Sequence, residues 1–317
     1  MTRAIALIAV LTAALGAAPD ARGPVATLHF RVLAHTGIKL TEITWTAEGP
    51  LYVENTANTL WSAPPAGSPI TAFASMPRVV EETRCRVSAG KHGWDPGVIF
   101  CHSPDNVIYR IRPDGGNVTV FAKLPESSVS DGALAFDTVG AFGYGLVAAT
   151  GRSASDGGDV YAINSSGSVR RIGQYAGPGG AEGLAIAPSG FGVAARTALL
   201  SIDGGANGRL VAVGADGAAK TIATFADGAN PIAAIVATPI RGGSHAGLYV
   251  TDTLSTNAYF VPASELRAYA GDVVVGSEVK GLFWVVRPRG HGYEALRIPT
   301  TLRGGHYNLE GMTYVSP

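Results

Sequence analysis

The 317-residue chain is 46% hydrophobic and 15% charged with 42 glycines, a turn-rich globular composition that excludes a disordered or fibrous protein. Lysine plus arginine equals aspartate plus glutamate at 24 each, so there is no basic field for nucleic acid and no like-charge tail.

The first element in chain order reads as an export signal, with a membrane anchor as the alternative. Arg3 precedes the apolar run "AIALIAVLTAAL" (4–15), and the small residues Gly16, Ala17 and Ala18 follow. The run is too short to span a bilayer comfortably, so residues 1–22 are expected to be cleaved, although Pro19 blocks a cut directly after Ala18. Residues 23–317 are then one domain, secreted or periplasmic, with no stable membrane insertion after cleavage.

The next segment, "LHFRVLAHTG" (28–37), reads as the last strand of a sheet that has no earlier strands. From there the chain repeats. Short strands ending in a polar turn recur as "TLWSAPPAG" (59–67), "VIYRIRPDG" (107–115), "DVYAINSSG" (159–167) and "RLVAVGADG" (209–217). Their second residues, Leu60, Ile108, Val160 and Leu210, are spaced by 48, 52 and 50, and "AYFVPASE" (258–265) extends the beat by 49 at Tyr259. Each period also holds an acid-led strand such as "EGLAIAP", a strand such as "GLYVTD" (247–252), and a more polar fourth strand such as "VTVFAKLP" (118–125). Four alternating strands per period predict an antiparallel blade, and the array predicts an all-β propeller of six blades, with seven or five as alternatives. The sixth blade is expected from "DVVVGSE" (272–278), "GLFWVVRP" (281–288) and "YEALRIPTT" (293–301). The terminal "LEGMTYV" (309–315) reads as a first strand, so the two chain ends are expected to complete adjacent blades and close the ring.

Cys85 in "TRCRVS" and Cys101 in "VIFCHS" lie on strands joined by the turn-rich "AGKHGWDPG". Facing positions on a hairpin of an exported chain predict a disulfide; the alternative is two buried thiols.

Radial repetition places the acid-led positions on one ring around the channel. These are Glu42, Asp131, Glu182 and Glu310, with Asn230 in the looser "NPIAAIVA" and either Glu82 or Arg84 from the second blade. Crowded carboxylates raise each other's pKa unless a cation compensates, and hard oxygen donors suit Ca²⁺ or another divalent ion. The competing reading has each acid capping N–H groups of its own turn, where Gly132 and Gly183 fit a tight bend.

The phrases "LYVENTANTLW" (51–61), "LYVTDTLSTNAYF" (248–260), "EGLAIAP" and "LEGMTYV" resemble those of the six-bladed calcium-dependent propellers. That superfamily comprises the gluconolactonase/regucalcin, paraoxonase and strictosidine-synthase-like proteins, with the NHL-repeat propellers nearby. The resemblance implies a metal at the channel, with Glu42 matching the first-blade ligand and Asp131 and Asn230 matching later ones. It further implies hydrolysis of lactones or esters. "TEITW" departs from the lactonase "EGPVW" box by carrying Ile43 in place of glycine.

His102, His245, His291 and His306 fall near turns, and His102, His245 and His306 are the candidate bases beside a metal-bound water. No histidine pair has zinc spacing, and no GxSxG elbow exists. Asp156 and Asp159 in "GRSASDGGD" read as a flexible turn, and Glu54 and Asp252 as turn stabilisers bonding backbone N–H groups. Two functions follow: a metal-dependent hydrolase acting on a small molecule at the channel mouth, or a non-catalytic propeller that binds a ligand or protein.

Overall fold

The computed structural model describes residues 24–316 except 58, 79–81, 127–131, 152–156, 205–206, 231, 235–244 and 303–304. Six four-stranded antiparallel sheets make up the molecule. Blade I holds β2 (Leu40–Trp45), β3 (Pro50–Glu54), β4 (Thr59–Ser62) and β5 (Thr71–Ser75). Blade II holds β6 (Arg84–Ala89), β7 (Pro96–Ser103), β8 (Val107–Ile111) and β9 (Thr119–Lys123). Blade III holds β10 (Gly132–Phe136), β11 (Leu146–Thr150), β12 (Gly158–Ile163) and β13 (Val169–Tyr175). Blade IV holds β14 (Ala181–Ile186), β15 (Ala198–Ile202), β16 (Gly208–Val213) and β17 (Ala219–Phe225).

The last two blades depart from the expected order. Blade V joins β18 (Ile232–Ala234) to β21 (Val273–Gly276), β22 (Phe283–Arg289) and β23 (Gly292–Ile298). Blade VI runs from β24 (Leu309–Val315) through β19 (Gly247–Asp252) and β20 (Asn257–Pro262) to β1 (Arg31–His35). The chain therefore starts blade V, crosses to blade VI for one hairpin, and returns through a 3₁₀ segment at Ala263–Tyr269. The segments expected to form the sixth blade build the fifth, and "AYFVPASE" belongs to the closing blade. The phrase marks a strand's rank within a blade, and β20 does hold the third rank. Which blade it joins is set by pairing partners distant in sequence. The two chain ends share this one sheet, β24 innermost and β1 outermost, rather than completing separate blades.

First strands touch around the ring in the order β2, β6, β10, β14, β18, β24 and back to β2. Apolar clusters fill the interfaces between neighbouring blades. β11 shows why the middle strands read as unbroken apolar runs. Leu146 and Ala148 face blade II while Val147 and Ala149 face blade IV, so both sides of the pleat are buried. Fourth strands such as β9 ("TVFAK") are largely exposed, which explains their polarity.

Candidate functional site: the acid ring of the channel

The acids reach the channel through a local irregularity. The ladder between first and second strand slips between Leu40 and Glu42, between Ala181 and Gly183, and opposite Glu310–Gly311. A bulge leaves one residue unpaired and re-aims the neighbouring side chains, here at the acid-led position of blades I, IV and VI. Gly311 also allows close approach: a Cβ there would lie 2.6 Å from the Cα of Glu42.

Oxygens of Glu82, Glu182 and Glu310 all lie within 4.8 Å of one another, Glu310 buried and the other two half-buried. The buried Asn230 donates from Nδ2 to Glu182 Oε2 at 2.5 Å, while its Oδ1 has no hydrogen-bond partner among the described residues. Glu42 is buried beside this group but turned aside. Its Oε2 accepts from Arg86 Nη1 at 2.7 Å, and its Oε1 accepts from the Ile43 N–H at 2.9 Å. Glu42 thus bonds the N–H of its neighbour within β2 and pairs with Arg86, rather than capping the inter-blade turn. Asp131 lies outside the described residues, as does the expected signal segment 1–22.

Arg84 stands among these acids at 2% exposure. Its Nη1 donates to the carbonyls of Thr41 (2.5 Å) and Glu310 (3.0 Å), and its Nη2 lies 3.4 Å from Glu310 Oε2. One side chain of blade II thus ties blade I to blade VI. Burial opposes its charge, but Glu310, Glu42, Glu82 and Glu182 outweigh that and hold its pKa above the usual arginine range. Among the described residues, four carboxylates face Arg84 and Arg86, formally two negative charges in excess. Sequence reasoning offered Glu82 or Arg84 for this blade; the fold brings in both. The only signal was two charged residues in an otherwise irregular first strand.

The donor set fits a divalent cation. Three converging carboxylates, and a buried carbonyl oxygen with no donor among the described residues, match a hard ion. Glu82, Glu182, Glu310 and Asn230 could hold it. Of the expected ligands, Glu182, Glu310 and Asn230 meet, while Glu42 is engaged by Arg86.

The histidines lie elsewhere. His102 is fully buried against Gly132, where a Cβ would sit 2.4 Å from its Cε1. Burial lowers its pKa to about 4, so it is a neutral packed ring. His245 is exposed and stacks on Trp45 at 5.8 Å, and His291 and His306 are exposed. Asp252 accepts N–H groups of Leu254 and Asn308, as a turn stabiliser should. Glu54 instead accepts from the Trp61 indole at 2.8 Å, a diagonal contact across the β3–β4 hairpin in which Trp61 itself is paired with Tyr52. Asp159 is a buried partner of Arg171 rather than part of a loose turn, while Asp156 lies outside the described residues. Cys85 and Cys101 form a disulfide between directly opposed residues.

No protein-family model and no curated relative matches the sequence. Solved structures do. A chain of a nidogen/laminin complex superposes with a TM-score of 0.58 at 9% identity, covering 89% of this chain and 88% of that one. A PQQ-bound aldose sugar dehydrogenase from Streptomyces coelicolor gives 0.57 at 14% identity, covering 89% and 90%. A calcium-binding regucalcin from Agrobacterium tumefaciens gives 0.50 at 18% identity, covering 87% and 80%. At these identities the likeness is one of fold, and the fold is the six-bladed β-propeller.

Proposed function

We propose that this chain is a divalent-cation-binding propeller that hydrolyses a lactone or ester at the mouth of its channel, with calcium held by Glu82, Glu182, Glu310 and Asn230. The observation that carries the proposal is Asn230 Oδ1, a buried acceptor with no donor among the described residues, beside three converging carboxylates. When bound, such an ion supplies Lewis-acid polarisation of a carbonyl and a more acidic water. The protein's own residues would set the geometry. Asn230 fixes Glu182 by its Nδ2, and Arg84 anchors Glu310. Half-buried Glu82 and Glu182 form the side open to a small-molecule ligand. The disulfide supports export to an oxidising compartment. Among the described residues no helix is long and apolar enough to cross a membrane.

A second reading, cation binding without turnover, is favoured by the absence of any histidine from the carboxylate group among the described residues. One set of measurements separates the readings. Elemental analysis of the purified protein should find calcium or another divalent ion. Calcium at a hundredfold excess over Kd should raise stability by about 2.7 kcal/mol relative to EDTA. Glu182→Gln should lose most of that gain. Turnover on a lactone and ester panel, abolished by EDTA and by Glu182→Gln, supports the hydrolase; bound ion with no turnover supports the second reading. No ion and identical melting with and without EDTA would end both.

A further inference from the structure

A second cavity lies at the opposite end of β6 from Arg84. It occupies about 280 Å³ between blades II and III, walled by Val87, His92, Trp94, Phe136 and Tyr144 and edged by Lys91. A cavity of about 150 Å³ is known to take a benzene, so this one takes a substituted or fused ring.

The walls are built and rigid. The rings of His92 and Tyr144 stack at 3.7 Å and 9°, and both residues hold left-handed backbone, φ 54° and 57°. Neither is glycine, and such conformations persist only where surrounding structure imposes them. Asp137 imposes one of them: its carboxylate accepts the N–H groups of Val139, Gly140, Phe142 and Tyr144. Trp94 imposes more, donating from Nε1 to the Tyr144 carbonyl at 2.9 Å while meeting Phe136 edge-on at 5.1 Å.

Those same bonds decide the ligand. A sugar needs many convergent polar groups, but Asp137 and the Trp94 indole N–H are already committed inside the protein. Aromatic faces remain, with the Ser88 and Thr138 hydroxyls at the wall and the Lys91 ammonium, which has no ion-pair partner among the described residues, as the one cation of the lining. The geometry points to a binding site for a planar aromatic ring bearing one anionic group, independent of the acid ring of the channel.

Indole-3-acetate is the probe, titrated calorimetrically into the full chain. Saturable one-to-one binding with a submillimolar Kd is expected. Lys91→Ala, an exposed change that leaves the fold intact, should weaken it about tenfold, and neutral indole should bind the wild type about as weakly. Tyr144→Ala removes one wall and should weaken binding further, with its melting temperature checked in parallel. Glu182→Gln should leave the affinity unchanged. No saturable heat at millimolar probe, or equal affinity in wild type, Lys91→Ala and Tyr144→Ala, would overturn the assignment. Loss of binding in Glu182→Gln would also overturn it, by moving the probe to the channel.

Discussion

Arg84 and His102 face each other across the first two strands of blade II, and burial treats them oppositely. Arg84 keeps its charge because four carboxylates surround it. His102 has no such compensation: desolvation dominates, and Asp105, Asn106 and the Ala133 backbone offset it only in part. A consequence for stability follows. The unfolded histidine takes up a proton near pH 6.5, whereas the folded one resists until about pH 4. Its contribution is therefore complete above pH 6.5 and is lost as pH falls towards 4, by about 3 kcal/mol in all. His102→Leu should lose stability less steeply than wild type between pH 7.5 and 4.5 in urea titrations. Parallel slopes would contradict this account. The sequence marked His102 as a candidate base from its place near a turn. Its ring packing on Gly132 depends on blade III, which no local pattern encodes.

At the scale of the element, β6 carries the most consequence per residue. It holds Arg84 and Arg86 at the channel end, Cys85 between them, and Val87 at the aromatic cavity. The disulfide to Cys101 in β7 closes a hairpin with a sequence separation of 16. Loop-closure entropy puts its contribution at about 3 kcal/mol. The double variant Cys85→Ala/Cys101→Ala should lose that amount in equilibrium urea denaturation, and the cation-dependent gain in stability should shrink with it because Arg84 is no longer pinned. A double variant as stable as wild type would show that the bridge is incidental. This hairpin was legible in the sequence, since both cysteines sit on alternating apolar runs around a glycine-rich turn. The bulges that turn the acids inward were not, because a bulge is a mismatch between two strands and neither strand records it alone.

In the whole molecule, closure rests on the last two blades. Blade VI takes its outer strand from the start of the described chain and its inner strand from the end. The N-terminal segment also clamps blade V: Leu28 bonds to Pro299 and Thr301, and the Tyr269 hydroxyl donates to the Ala26 carbonyl. Leu28 is fully buried in the apolar cluster shared by blades V and VI. Leu28→Ala should therefore cost about 2–5 kcal/mol, with unfolding still a single transition because blades in a closed ring support one another. A separate early melting phase confined to blades V and VI would count against that coupling.

The chain's own order of residues determined the class of fold, the four-strand unit, the rank of each strand within it and the paired cysteines. Those are properties of local alternation, turn chemistry and a period near fifty residues. Tertiary structure alone decided which sheet the Gly247–Pro262 hairpin joined, which acids converge and which are neutralised by arginine. Each of those outcomes depends on partners brought together only when the ring closes, where burial, hydrogen bonding and charge are settled between strands far apart in sequence.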